Sequence, residues 1–332
     1  MSQVLVEVKD LTKVFSTGGQ DVSVLNGLNF TIHQGETFCV VGESGCGKST
    51  TGRVLAGLLK PTAGEVLFKG VELGERTRKQ TKEFRSEVQM IHQDPYASLN
   101  PTHRIFEILS YPLYRHKKVK NFDEAIAAVS DLLTKVGLTP VEDFINKYPH
   151  QLSGGQRQRV SVARVLTVDP KFLVVDEATS MIDTSLRISL LDMLGELQKE
   201  LEVSYFFITH DLALAKHFAW NGRIAVMYLG KIVELARAPQ LVQEPQHPYT
   251  KALLSAIPEA DPEITRTKKR FQLIGHEIPS LDKLPVGCPF HPRCPWRVEG
   301  LCNVHAPKLM EINESCKVAC HVAHKTAEGR CS

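Results

Sequence analysis

No stretch of this chain carries the ~18 to 20 consecutive apolar residues of a membrane-crossing helix, so work at a membrane would need other chains to supply the span. Residues Met1 to Asp10 lack the charged start and apolar centre of a secretion signal, and the expected location is the cytoplasm. An excess of one charge is missing as well. The 40 Lys and Arg against 37 Asp and Glu leave +3, a balance that announces no nucleic-acid partner. Neither an internal repeat nor a low-complexity tract is present, which sets aside solenoid and linker-like architectures. Cysteine is scarce until late. Six of the eight (Cys288, Cys294, Cys302, Cys316, Cys320, Cys331) fall in the last 45 residues and mark a shift in composition. What remains is a soluble globular chain, whose 332 residues suffice for one large domain and a smaller one.

What is present centres on Gly42-Glu43-Ser44-Gly45-Cys46-Gly47-Lys48-Ser49-Thr50. The G-x4-G-K-S spacing follows an apolar strand candidate, Thr37 to Val41, and opens a helix candidate ending near Lys60-Pro61, the context a phosphate-binding loop requires. Gly42, Gly45 and Gly47 free the backbone to aim successive N–H groups at phosphate oxygens, Lys48 would neutralise β/γ charge, and Ser49 would put its hydroxyl on Mg²⁺. The helix dipole supplies only ~0.3 to 1 kcal/mol, at best ~2, whereas micromolar binding of ATP needs about 8, so other groups must join in. A glycine-rich turn before an ordinary helix would not call for strand, loop, Lys-Ser pair and helix in that order. Cys46 reads as a small packed residue, with a thiol whose modification blocks nucleotide entry as the alternative.

Further elements follow from pattern. Val4 to Val8 alternates as an edge strand would, and Val24 to Ile32, Glu65 to Phe68 and Val88 to His92 read as strands, the last ending at Gln93. Phe15 is either plain core or an aromatic that stacks on adenine. A largely helical stretch from Ile105 to Leu138 is interrupted by the basic run Arg115 to Lys120, read as a solvated loop rather than a lipid contact. Leu152-Ser153-Gly154-Gly155-Gln156 precedes a helix candidate, Arg157 to Thr167, and forms a second anion site: a good N-cap followed by two glycines at a positive helix end. Phe172 to Glu177 is a continuously apolar strand ending in two carboxylates. There Asp176 can hold Mg²⁺ through water, and Glu177 can orient or deprotonate an attacking water. Phe206 to Thr209 repeats the pattern and ends at His210-Asp211.

Together these motifs resemble the ATP-binding subunit of an ATP-binding cassette (ABC) transporter over residues 4–257. The resemblance implies an α/β fold of the P-loop ABC ATPase type: a mixed sheet core, an amino-terminal β subdomain and a helical signature subdomain at about residues 95–165. It places that domain at 1–258 and a small Cys-rich extension at 259–332. It also implies roles. Phe15 would stack on adenine, Gln93 would touch Mg²⁺ along with Ser49 and Asp176, Glu177 would be the catalytic carboxylate, and His210 would contact the γ-phosphate. Ser153, Gly154, Gly155 and Gln156 would reach the ATP held by a partner cassette, so that two half-sites make one active site and an isolated monomer hydrolyses slowly. One departure is Ser180-Met181-Ile182-Asp183, where the family usually has Ser-Ala-Leu-Asp. Ser180 and Asp183 remain, so full competence is expected, with weakened coupling between sites as the alternative.

From His247-Pro248-Tyr249-Thr250 to Ile257-Pro258 the chain resembles the dipeptide/oligopeptide importers, strengthened by Gly287-Cys288-Pro289-Phe290-His291-Pro292-Arg293-Cys294. In a reducing compartment disulfides are disfavoured. Gaps of five, seven and seventeen residues between Cys288, Cys294, Cys302 and Cys320 lack the short paired knuckles of structural zinc. A [4Fe–4S] cluster suits those four better, as the resemblance also implies, with Cys316 competing for the last place and Zn²⁺ as the other metal. Cys331 reads as a free terminal thiol.

The expected function is ATP-driven uptake of di- or oligopeptides, or a related solute such as an oligosaccharide or nickel. The partners implied are a second ABC ATPase subunit, two transmembrane permeases and an extracytoplasmic solute-binding protein, with this chain peripheral on the cytoplasmic face of the membrane. The alternative is a soluble ABC ATPase in ribosome recycling, DNA repair or iron–sulfur assembly. A single phosphate loop and the lack of room for coiled-coil insertions argue against it.

Overall fold

The structure is a computed structural model that describes residues 3–17, 19–180, 182–257, 270–275 and 277–328. Its backbone contacts group into two compact units. Among the described residues no helix is long and apolar enough to cross a membrane.

One unit comprises Val4–Ile32, Thr37–Leu73 and Ile208–Ser332. Its first sheet holds β1 (Val4–Thr17), β2 (Gln20–His33), β4 (Ala63–Phe68) and β5 (Val71–Glu72) in the order β2-β1-β4-β5. The alternation at Val4 to Val8 predicts an edge strand. In fact β1 runs to Thr17 and lies between β2 and β4, with Val6 opposite Phe68 and Val8 opposite Val66. The period of two reports one covered face and is silent about what pairs at the sides. The second sheet runs β11 (Met310–Asn313), β12 (Cys316–Val318), β10 (Lys231–Arg237), β9 (Arg223–Tyr228), β3 (Thr37–Val41). Every residue of β3 is buried, as its unbroken apolar run requires, and it pairs in parallel with β9. Helix α1 (Lys48–Leu55) stops earlier than Lys60-Pro61, and its C-cap Ala56 donates to Gly52 and Val54.

The other unit comprises Met1–Gln3, His33–Glu36 and Gly74–Phe207. Within it β8 (Ser204–Thr209), β7 (Phe172–Asp176) and β6 (Val88–Ile91) lie side by side, β6 parallel to β7. Helices α2 (Arg78–Glu87) and α3 (Pro95–Ser98) precede a bundle. In that bundle α4 (Ile105–Arg115) packs on α5 (Phe122–Lys135), and both pack on α7 (Gly154–Leu166) beside α6 (Glu142–Ile145). The basic run between α4 and α5 is an exposed loop in which Lys118 pairs with Asp169, in keeping with the solvated reading. Asn121 then caps α5 by accepting from Glu124 N (2.8 Å). Helix α8 (Thr184–Leu201) closes the unit, and the Arg159 guanidinium ties α7 to it through Ser189 Oγ at 2.8 Å.

Candidate functional site

The phosphate loop turns between β3 and α1, and steric contact explains two of its glycines. A Cβ on Gly42 would stand 2.2 Å from the Met227 carbonyl oxygen. One on Gly47, whose φ is 104°, would stand 2.7 Å from Leu25 and 2.9 Å from the Val24 carbonyl. The loop therefore lies directly against β9 and β2, an approach only glycine permits. Gly45 (φ 79°) differs: nothing lies within 4 Å of its missing Cβ, and with Ser44 it forms the exposed lip of the loop. Lys48 is 4% exposed, and its ammonium donates to the carbonyls of Gly42 (2.8 Å) and Glu43 (3.0 Å). Ser49 and Thr50 are half-buried on the first turn of α1, which makes the set of glycines, lysine and hydroxyls a fit for a polyphosphate. Cys46 is buried, and burial pushes its thiol up against the lowering influence of Lys48. A packed small residue describes it better than a reactive thiol.

Two contacts on this loop escape sequence reading. The Glu43 N–H donates to the Tyr249 hydroxyl (2.9 Å), and the Glu43 carboxylate takes two parallel bonds from the Arg293 guanidinium at 2.8 and 2.9 Å. Both partners sit inside motifs that are visible in the sequence, but only the fold shows that those motifs return to the loop. Phe15 is 38% exposed with the Lys13 ammonium 5.1 Å from its ring centroid, so the plain-core reading fails. His210 is exposed at the end of β8, and Asp211 after it caps helix α9 (Leu212–Phe218) by accepting from Ala213 N at 2.8 Å.

In the other unit β7 delivers Asp176, 6% exposed, and then Glu177 with φ 46°. A left-handed backbone at a residue with a side chain costs on the order of 1–3 kcal/mol and persists only where neighbours enforce it. Here Ser180 does so, its N–H and hydroxyl both donating to the Glu177 carbonyl (3.0 and 2.8 Å). The Gln93 amide, just beyond β6, reaches Glu177 Oε2 (3.4 Å) and Ser180 Oγ (3.3 Å). Gln93, Glu177 and Ser180 are thus brought together as a polar group beyond the carboxyl ends of parallel strands.

Ser153 is exposed and caps α7, which begins at Gly154 rather than at Arg157. Its Oγ accepts from Gln156 N (3.3 Å), and Gln156 Oε1 accepts from Ser153 N (3.0 Å). This is a capping box, so Gln156 has a local purpose that the Ser-x-x-Gln spacing could have revealed. Gly155 has one too: a Cβ there would press on Leu186 of α8 at 3.2 Å. Arg157 fixes the approach, bonding the carbonyls of Pro149 (2.8 Å) and Leu152 (2.7 Å) while lying over the Tyr96 ring. Met181 lies outside the described residues. Ile182 is buried, and Asp183 is exposed at the start of α8.

Cys288, Cys294, Cys302 and Cys320 are all buried. The sulfurs receive main-chain N–H groups: from Phe290 and His291 at Cys288, from Trp296 at Cys294, from Val298 at Cys302, and from Val322 and Ala323 at Cys320. Burial pushes the Cys288 thiol up to about 11 and Cys294 up to about 12, and each also feels charge on Cys302 and Cys320. Cys316, in β12, has Glu234 as its charged neighbour, which also bears on Cys320. Among the described residues no group of three or more His, Cys, Asp or Glu side chains stands at metal-holding distances. The expected cluster therefore has its donors grouped but not converged. Cys331 lies outside the described residues.

Two family profiles match the chain: "ABC transporter" over residues 25–180, and "Oligopeptide/dipeptide transporter, C-terminal region" over residues 233–302. Among curated proteins it is 44% identical to the putative oligopeptide transport ATP-binding protein YkfD of Bacillus subtilis, covering 98% of this chain and 97% of that one. It is 42% identical to the dipeptide transport ATP-binding protein DppF of Haemophilus influenzae, covering 91% and 89%. Among solved structures it resembles the ATP-binding cassette MJ0796 in a dimeric post-hydrolysis state bound to ADP and Pi, with TM-score 0.63 and 28% identity over 70% of this chain and 99% of that one. Likewise it resembles cbiO1 of Clostridium perfringens, part of the ABC transporter complex cbiONQ, with TM-score 0.64 and 28% identity over 73% and 92%. The two sheets, the glycine-lined loop and the carboxylate-ended strand are accordingly those of an ABC ATPase, and the chain belongs to the oligopeptide/dipeptide transport ATP-binding proteins of the ABC transporter family.

Proposed function

We propose that the chain powers uptake of di- or oligopeptides by hydrolysing ATP on the cytoplasmic face of a membrane. Its partners in this reading are a second ABC ATPase subunit, two permease subunits and an extracytoplasmic solute-binding protein. The peptide cargo rests on the relatives' names; the chemistry rests on one observation above all. The phosphate loop is held open at Gly45 and closed onto β9 at Gly42, with Lys48 beneath it, a cradle shaped for a polyphosphate.

Lys48 and the loop N–H groups would hold the phosphates, and Phe15 is exposed as an adenine platform requires. Mg²⁺, when bound, would neutralise charge on the phosphate oxygens, held by Ser49, Asp176 and Gln93. Glu177 would take the proton of the attacking water, its carboxylate aimed by Gln93 and its backbone by Ser180. His210 would contact the γ-phosphate. The exposed Ser153 and the N-terminal amides of Gly154, Gly155 and Gln156 would complete the site on the partner cassette, with Asp183 beside that junction. Cys288, Cys294, Cys302 and Cys320 would hold a [4Fe–4S] cluster bracing the extension: all four are buried, and main-chain N–H groups offset part of the rise that burial imposes on the Cys288, Cys294 and Cys320 thiols.

Glu177→Gln tests the core of this reading. In the assembled transporter the variant is expected to bind ATP as the parent does. ATP turnover stimulated by peptide-loaded binding protein should fall at least 100-fold, the usual scale for loss of a general base. Unchanged turnover would remove Glu177 from its role. Turnover indifferent to peptides but stimulated by another solute would replace the cargo.

A further inference from the structure

Arg293 belongs to the Cys-rich extension, adjacent to Cys294, yet its side chain is buried against the phosphate loop of the cassette. The guanidinium forms a two-pronged ion pair with Glu43 (2.8 and 2.9 Å) and reaches the Tyr228 hydroxyl at 3.3 Å. The rings of Tyr228 and Phe290, packed edge to face 5.2 Å apart, lie together beside it, each centroid 5.7 Å away. Glu43 follows Gly42 directly and precedes the exposed Ser44-Gly45 lip, so its carboxylate is the negative charge nearest in sequence to where phosphates would rest. Glu43, Ser44, Gly45 and the Ile278–Leu281 stretch of the extension line one pocket of ≈ 240 Å³. A carboxylate in that place, left to itself, would repel a nucleotide polyphosphate.

We propose that Arg293 is a positioning residue for nucleotide binding: by clamping the Glu43 carboxylate with two parallel hydrogen bonds, it cancels a repulsive charge at the phosphate loop and fixes the loop's first turn. The extension thereby sets the nucleotide affinity of the cassette. This rests on the reading of the loop as an ATP site. The Arg fork matters because a lysine offers a point charge without paired donors.

The test is equilibrium binding of a fluorescent ATP analogue, with Mg²⁺, to the full chain and to Lys48→Ala, Arg293→Ala, Arg293→Lys and Arg293→Ala/Glu43→Gln. Arg293→Ala is expected to weaken binding on the order of tenfold, the scale of one poorly screened like charge, and the deficit should shrink as salt rises. Arg293→Lys should fall between it and the parent. The double variant should return to within about threefold of the parent, because a neutral amide has nothing to repel. A double variant as weak as Arg293→Ala, or an Arg293→Ala protein that binds like the parent, overturns the proposal. Should Arg293→Ala not fold, Arg293→Lys with and without Glu43→Gln carries the same comparison. Parent protein that binds no ATP, or Lys48→Ala that binds equally well, would instead reject the ATP-site reading itself.

Discussion

Cys316 and Cys320 are four residues apart and both buried, yet their surroundings differ. Cys320 receives the N–H groups of Val322 and Ala323 and feels the charge of Cys302. Cys316 sits in β12 opposite Ala236, where Glu234 is its charged neighbour. Glu234 raises both thiols, so the difference lies in the N–H donors, which stabilise a thiolate ligand and reach Cys320. Spacing alone could not separate the two, since both lie a plausible distance beyond Cys302. Anaerobically purified Cys316→Ala is therefore expected to keep the parent's iron, sulfide and brown absorbance. Cys320→Ala should lose most of all three. Iron loss in Cys316→Ala, or stoichiometric zinc without iron in the parent, would reverse the assignment.

Helix α10 (Pro248–Ala256) shows how an element can be legible in outline while its purpose is not. The His247-Pro248 start is visible as a helix entry, with Pro at the first position. The cap itself is a histidine: Nδ1 of His247 accepts from Tyr249 N (3.1 Å), which requires an unprotonated ring nitrogen. His247 is 1% exposed, and burial pushes its pKa down to about 3. Unfolded histidine takes up its proton near pH ~6.5. Between those values the unfolded chain binds the proton and the folded one does not, so the stability is fully present above pH ~6.5 and drains as pH falls towards 3, by about 1.4 kcal/mol per unit. Glu234, its carboxyl pushed up by burial, has the opposite sign, favouring the fold at low pH. His247→Asn keeps a capping oxygen and removes the titration. Relative to that variant, the parent is expected to lose about 1.5 to 2 kcal/mol between pH 6.5 and 5, read from denaturant midpoints. Parallel pH curves would show that His247 is protonated in the fold. Elsewhere, elements with unbroken apolar runs (β3, β7, β8) were readable because burial on both faces leaves one pattern. The β9–β10 hairpin, turning through Leu229-Gly230 with positive φ at both, and the short β11 and β12 were not, because their pairing is decided by distant partners.

At the scale of the molecule, the shift in composition and the late cysteines predict a cassette to residue 258 and a tail beyond it. Contacts group Ile208–Ser332 with Val4–Ile32 and Thr37–Leu73, the strands and loop of the phosphate site. The attachment is substantial. Strand β12 pairs along β10, with Glu234 opposite Val318 and Ala236 opposite Cys316. Phe290, 1% exposed, inserts its ring 5.2 Å from Tyr228, 5.4 Å from Tyr249 and 5.5 Å from His247. Ending the chain at Ile257 would therefore uncover an unpaired β10 edge, empty an aromatic core and leave Glu43 without Arg293. Removing one large buried aromatic costs ~3 to 5 kcal/mol, and in a domain of this size 1 kcal/mol moves the melting temperature by roughly 2 to 4 °C. The truncated chain is expected to melt at least about 10 °C below the full one and to associate through the bared strand edge. Thermal melts followed by size-exclusion chromatography would measure both. A soluble monomer melting with the full chain would mean that the tail is merely appended, and that the contacts of Phe290 and β12 add little to the stability of the unit they enter.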